Sequence, residues 1–136
     1  MRLWHTDIIK YLPSKLDYKG CTNQLGGQWT EIRMILGTIS KHNKVNHSTV
    51  NYVNNHHLSC LYAYALVVAD EMIKRGFNLN QNILDTYTND PVAVEKYNNY
   101  MDIGTSIYPE HNNEYLEECL QNLERKGINL RERVME

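Results

Sequence analysis

A chain of 136 residues, 42% hydrophobic and 22% charged, has the size of one domain and buries enough of its unfolded surface to fold without a metal or a disulfide. Its longest apolar run, residues 61–69, is too short for a membrane span, and three cysteines (Cys21, Cys60, Cys119) with no paired spacing and no secretory segment lead us to expect reduced thiols, a soluble protein and a cytoplasmic location. The net charge of −2 excludes a uniformly basic nucleic-acid binder but conceals a split: residues 1–79 hold nine Lys/Arg against five Asp/Glu, residues 80–136 hold five against eleven, and five of the six histidines lie in the first part. A phosphate-facing surface therefore belongs to the N-terminal part, unless the asymmetry is a dipolar surface with no partner.

Along the chain, a short helix is expected from Thr6 as N-cap to a stop before Pro13. Leu25, Trp29, Ile32, Leu36 and Ile39 alternate steps of four and three, the stripe of an amphipathic helix, and a second short helix is expected to start at Ser48. Leu58, Leu61, Ala65, Val68 and Met72 form the next stripe, closed by Lys74-Arg75-Gly76-Phe77, where cations meet the negative helix end and glycine takes the left-handed turn. Residues 78–108, rich in Asn, Asp and Tyr and carrying an Asp90-Pro91 turn signal, read as a long loop with at most a short helix around residues 92–97. A last helix starts near Asn113, buries Leu116, Cys119, Leu120 and Leu123, and closes at Arg125-Lys126-Gly127-Ile128. No alternating run long enough for a strand occurs. The expected class is all-α: one compact domain over residues 1–136, with about three main helices, short helices and a long loop.

Two features point toward chemistry. The chain opens on the basic and aromatic Met1-Arg2-Leu3-Trp4-His5, which brings the terminal amine into view as a reactive group. Opposite the apolar stripe of the first long helix lie Gln24, Gly27, Gln28 and Glu31, a polar face with one carboxylate. The adjacent Gly26 and Gly27 cost a helix about 1 kcal/mol each, so either another backbone approaches closely there, from the N-terminal segment or from nucleic acid, or the helix begins only after Gly27. A lone exposed Glu is ordinarily solvated, and Glu31 has that bland reading too. His42, His47, His56, His57 and Cys60 are zinc-binding types, but gaps of five, nine, one and three match no zinc pattern, so ordinary hydrogen-bonding histidines and no metal are expected.

The segments 1–5, 24–31, 47–52 and 71–78 occur in the order and approximate spacing of the pyrimidine-dimer DNA glycosylase (endonuclease V) family. The chain resembles in particular a bacterial branch that begins with the same Met-Arg-Leu-Trp-His and has the late Ile-Tyr-Pro-Glu-His found here at residues 107–111. The resemblance spans most of the chain outside residues 81–105. It implies a glycosylase with abasic-site lyase activity, in which the first residue's α-amine attacks the sugar's anomeric carbon, expels a damaged or modified pyrimidine and holds the sugar as an imine before strand cleavage. Such chemistry suits α-amines, whose usual pKa of about 7.7 to 8.0 leaves a neutral fraction at physiological pH, and it needs no metal or other cofactor.

On this resemblance Met1 occupies the nucleophile position and is retained, because Arg2 is too bulky for ordinary removal of the initiator. Glu31 matches the catalytic carboxylate and Arg2 a DNA-contacting arginine. Gln24 stands where the phage member has a histidine, and Thr30 and Met34 stand at two family arginines beside the glutamate, with Arg33 as a substitute charge on another face. The implied partner is double-stranded DNA with a damaged or modified base, bound by a monomer. Arg2, Lys41, Lys44 and His47 are the candidate phosphate contacts, and Trp4 or Trp29 the candidate stacking groups, Trp4 reading as open and Trp29 as core. The C-terminal residues 131–136 lack the family's aromatic, basic tail, so photodimer specificity is not implied. The competing reading is a catalytically silent helical module that binds DNA or a protein.

Overall fold

The computed structural model describes residues 1–15 and 22–134. Among these there is no strand, and the chain is all-α. After an irregular N-terminal segment come a first 3-10 helix (Thr6–Tyr11), α1 (Gln24–His42), a second 3-10 helix (Asn51–Asn55), α2 (Leu58–Lys74), α3 (Gln81–Thr88), α4 (Pro91–Ile103), α5 (Asn113–Arg125) and α6 (Arg131–Val134). No described helix is long and apolar enough to cross a membrane. Cys60 and Cys119 are buried free thiols, and Cys21 lies outside the described residues.

The most apolar helix, α2, is the centre. It buries residues on every side, from Cys60 and Leu61 through Tyr64 and Val68 to Met72, and packs against α1, α3, α4 and the first 3-10 helix. Around it a single core collects Leu3, Ile8, Ile9 and Leu12 from the N-terminal part, Leu25, Ile32 and Ile35 from α1, and Cys119, Leu120 and Leu123 from α5. Both glycine stops form as expected: Gly76 at φ 101° and Gly127 at φ 82° let Phe77 N–H reach Met72 O and Ile128 N–H reach Leu123 O. The six-to-one bond satisfies carbonyls that the helix ends leave without partners.

Three expectations change. The first helix is 3-10 and is capped by His5, whose Nδ1 accepts from Asp7 N–H, rather than by Thr6, which is buried and bonded elsewhere. The second short helix begins at Asn51, not Ser48, because His47 N–H is held by the Asn51 side chain and residues 48–50 form a turn. The long loop is two helices. Asn80 caps α3 and Asp90 caps α4 with Pro91 at its first position, so the dipeptide read as a turn is a helix start.

A candidate active site at the N-terminal cleft

The helix carrying Glu31 starts at Gln24, with Asn23 as N-cap accepting from Gly26 N–H at 3.3 Å; the alternative start after Gly27 is overturned. A Cβ at Gly26 would collide with the Asn23 amide, so this glycine accommodates the cap. At Gly27 an added Cβ would meet no protein atom. That glycine floors a cleft of about 250 Å³ lined also by Met1, Arg2, Trp4, Gln24, Gln28, Glu31, Thr49, Asn122 and Lys126. Hollows of about 440, 540 and 580 Å³ lie elsewhere on the surface, so size does not select this one. Convergence of polar groups does.

The N-terminal segment reaches the cleft without secondary structure, and side chains hold its backbone. The carbonyls of four consecutive residues each accept from a different side chain: Met1 O from Thr49 Oγ1, Arg2 O from Gln28 Nε2 at 3.0 Å, Leu3 O from the Tyr115 hydroxyl, and Trp4 O from the Tyr64 hydroxyl at 2.6 Å. In the other direction Arg2 N–H donates to Glu31 Oε2 at 3.1 Å, Trp4 N–H to Gln28 Oε1 at 2.6 Å, and Thr6 N–H to His111 Nδ1 at 3.3 Å. Chain termini are ordinarily the least ordered part of a domain, and fixing each residue's backbone costs about 1–2 kcal/mol. Here α1, α2, α5 and the segments at Thr49 and His111 all contribute to that ordering.

Burial pushes the phenols of Tyr64 and Tyr115 well above the usual tyrosine range, so both remain protonated donors. His111 is 3% exposed, and burial pushes its pKa down to about 3, with the neighbouring His5 adding to the effect. Since Nδ1 accepts from Thr6, the neutral ring carries its proton on Nε2, which faces the Tyr52 hydroxyl at 2.7 Å.

Residues 1–85 of the chain match the model of a known family, described as pyrimidine dimer DNA glycosylase. The chain belongs to that family. No curated protein and no solved structure matches it. The match of the pyrimidine dimer DNA glycosylase family contains the N-terminal segment, Gln28, Glu31, Thr49 and Tyr64, and ends before Tyr115, Asn122 and Lys126.

The sequence candidates separate. Met1, Arg2, Trp4, Gln24 and Glu31 meet at the cleft, and His47 stands behind it, bonded at 2.9 Å to Thr49. Arg2 turns its guanidinium toward α5, 3.3 Å from the exposed Glu118 and 5.6 Å from the Tyr115 ring centroid. Trp4 is not open: it is 5% exposed, with Lys126 Nζ 5.3 Å from its ring centroid. Trp29 is packed edge-on against Tyr87 and is partly buried at the edge of the core rather than within it. Arg33 borders a separate groove with Leu36, Tyr62 and Tyr87, while Lys41 stands exposed near the far end of α1, about 15 Å along the helix from Glu31, and Lys44 stands exposed just beyond that end. Thr30 bonds back to Gly26 O and Met34 is exposed, so neither puts a charge beside Glu31.

The zinc-type residues are dispersed. His56 lies 2.9 Å from Glu110, His57 caps α2, and no group of three or more His, Cys, Asp or Glu among the described residues could hold a metal ion. Sequence reasoning missed Thr49, Asn122 and Lys126 as cleft residues. Lys126 read only as a charge closing α5, and that closing turn is what brings it to the cleft.

Proposed function

We propose that this member of the pyrimidine dimer DNA glycosylase family is a glycosylase with abasic-site lyase activity, using the Met1 α-amine as nucleophile and Glu31 as its acid and base. The observation that supports this most is the clamp on residues 1–6, which directs the start of the chain into the same cleft as a carboxylate bonded to the next peptide N–H. In the reading, the amine nitrogen bonds to the sugar's C1′ as the base leaves with the glycosidic electron pair and takes a proton. The amine gives up a proton, the C1′–O4′ bond opens with a proton going to O4′, and an imine remains. Loss of the C2′ proton then expels the 3′ phosphate, and water releases the amine. Glu31 relays these protons. Double-stranded DNA with a damaged or modified base is the substrate in this reading, and the Ile-Tyr-Pro-Glu-His at residues 107–111 supports reading the chain as a member of the bacterial branch it resembles.

Lys126 and Arg2 supply positive charge at the cleft where Thr30 and Met34 supply none, and we assign them the phosphates beside the extruded nucleotide. Gln24, on the cleft wall, contacts the same strand, while Lys41, Lys44, His47 and Arg33 meet more distant phosphates. The bare α1 face at Thr30 and Met34 favours one second reading, a silent module that binds DNA without cleaving it. Glu31→Gln separates the two. We expect it to fold, to bind an abasic duplex within about threefold of native, and to lose at least about a hundredfold in strand cleavage. Undiminished cleavage would remove Glu31 from the chemistry.

A further inference from the structure

Gln28 is 1% exposed and its amide makes a complete set of contacts. Oε1 accepts from Trp4 N–H at 2.6 Å and faces the Tyr64 hydroxyl at 2.8 Å; Nε2 donates to Arg2 O at 3.0 Å and to Glu31 Oε2 at 3.3 Å. The neighbours fix which atom is which, since a peptide N–H demands the oxygen and a peptide carbonyl the nitrogen. Both hydrogen bonds to Glu31 among the described residues, from Gln28 and from Arg2 N–H, fall on the same oxygen, Oε2.

We propose that Gln28 is the positioning residue of the cleft. Its amide ties the Arg2 peptide to Glu31 so that Oε2 is committed to hydrogen bonds and Oε1 is the oxygen that exchanges protons with the amine and the sugar. The assignment rests on the proposed lyase reading and deepens it. The two donors on Oε2 hold the carboxylate plane, and Oε1, with no hydrogen bond among the described residues, is the oxygen left for the cleft. One rigid side chain thereby fixes the backbone just after the nucleophile and its proton acceptor relative to each other, and such alignment is worth orders of magnitude in rate.

Gln28→Glu tests this with little change of shape. The new carboxyl group keeps an oxygen for Trp4 N–H and Tyr64, but its other oxygen faces Arg2 O and Glu31 Oε2, both acceptors. A proton there restores one donor, so the lost contact is regained at low pH and lost again as pH rises. We expect single-turnover cleavage of an abasic duplex to fall at least about tenfold relative to native at pH 8 and to recover to within about threefold at pH 5. Binding of a duplex with a tetrahydrofuran site, which cannot form an imine, is expected to stay within about threefold of native at both pH values, because Gln28, 1% exposed, presents almost no surface to DNA.

A variant-to-native rate ratio that is flat with pH, in protein shown by thermal melting to be folded at the assay temperature, overturns the proposal and leaves the lyase reading intact. Absence of cleavage by the native protein overturns both. If Gln28→Glu does not fold, Gln28→Met replaces it: this side chain of similar length removes both donors, and a native cleavage rate in it equally overturns the proposal.

Discussion

His111 shows how single residues hold the N-terminal segment. Its folded pKa of about 3 lies below the 6.5 of a free imidazole, so between these values the unfolded chain binds a proton that the folded chain does not. Stability from this group is complete above about pH 6.5 and is lost as pH falls, by about 2 kcal/mol at pH 5. His5, stacked 5.5 Å away and also lowered first by burial, acts in the same direction, while Asp7 opposes it. Urea unfolding at pH 7.5 and pH 5 is expected to show this drop in the native protein and a clearly smaller one in His111→Gln; equal drops would show that the acid sensitivity arises elsewhere. Tyr64→Phe removes the hydroxyl donor facing Trp4 O and Gln28 Oε1, and we expect a loss of about 1–3 kcal/mol at neutral pH, read in the same experiment. A change under about 0.5 kcal/mol would mean that the clamp is redundant there. Met1 and Glu31 were legible as candidates because they stand at matching positions of the family that the chain resembles; by residue type alone Glu31 read as an ordinary solvated carboxylate. Gln28 was legible only as part of a polar helix face: the N-terminal segment that buries it arrives from outside the helix, and periodicity along α1 holds no trace of it.

Among the elements, α1, α2 and α5 were readable because each buries a continuous stripe and the latter two end in a glycine that takes a left-handed turn. The helices α3 and α4 were not, because they bury little, chiefly Tyr87 and Ala93, and leave Val92, Met101 and Ile103 exposed. Their formation leans on caps: Asp90 accepts from Val92 and Ala93 N–H at 3.0 and 3.1 Å. Asp90→Ala is accordingly expected to cost about 1 kcal/mol in thermal or urea unfolding, and no measurable change would deny the cap that role. Gly27 poses the reverse case. Within α1 an alanine there is expected to add about 0.5–1 kcal/mol of stability, since its Cβ meets no protein atom, but the methyl takes up room in the cleft and should slow abasic-site cleavage about tenfold. A variant more stable and equally active would show that this part of the cleft does not receive the sugar.

Across the molecule, the two halves of opposite charge build one site. The first half supplies the N-terminal segment and Glu31, and the acidic second half returns through α5 to place Tyr115, Asn122 and Lys126 against them. Much of the acidic surplus is paired: Glu117 and Glu124 hold Arg131, Glu118 meets Arg2, and Glu110 faces His56. Net charge alone therefore concealed that the cleft has cations at its rim. The sequence located the catalytic candidates but not this closure, because a contact between residues more than a hundred positions apart leaves no local pattern. We propose that the α-amine at the head of this clamped segment does the chemistry. The direct measurement is borohydride trapping on an abasic duplex, with the adduct mapped by peptide mass spectrometry, for protein beginning at Met1 and for the same protein extended ahead of Met1. An adduct on the Met1 nitrogen is expected with the first and none with the second. An adduct on a lysine, or no adduct where a known lyase is trapped, would contradict it and leave the silent DNA-binding module.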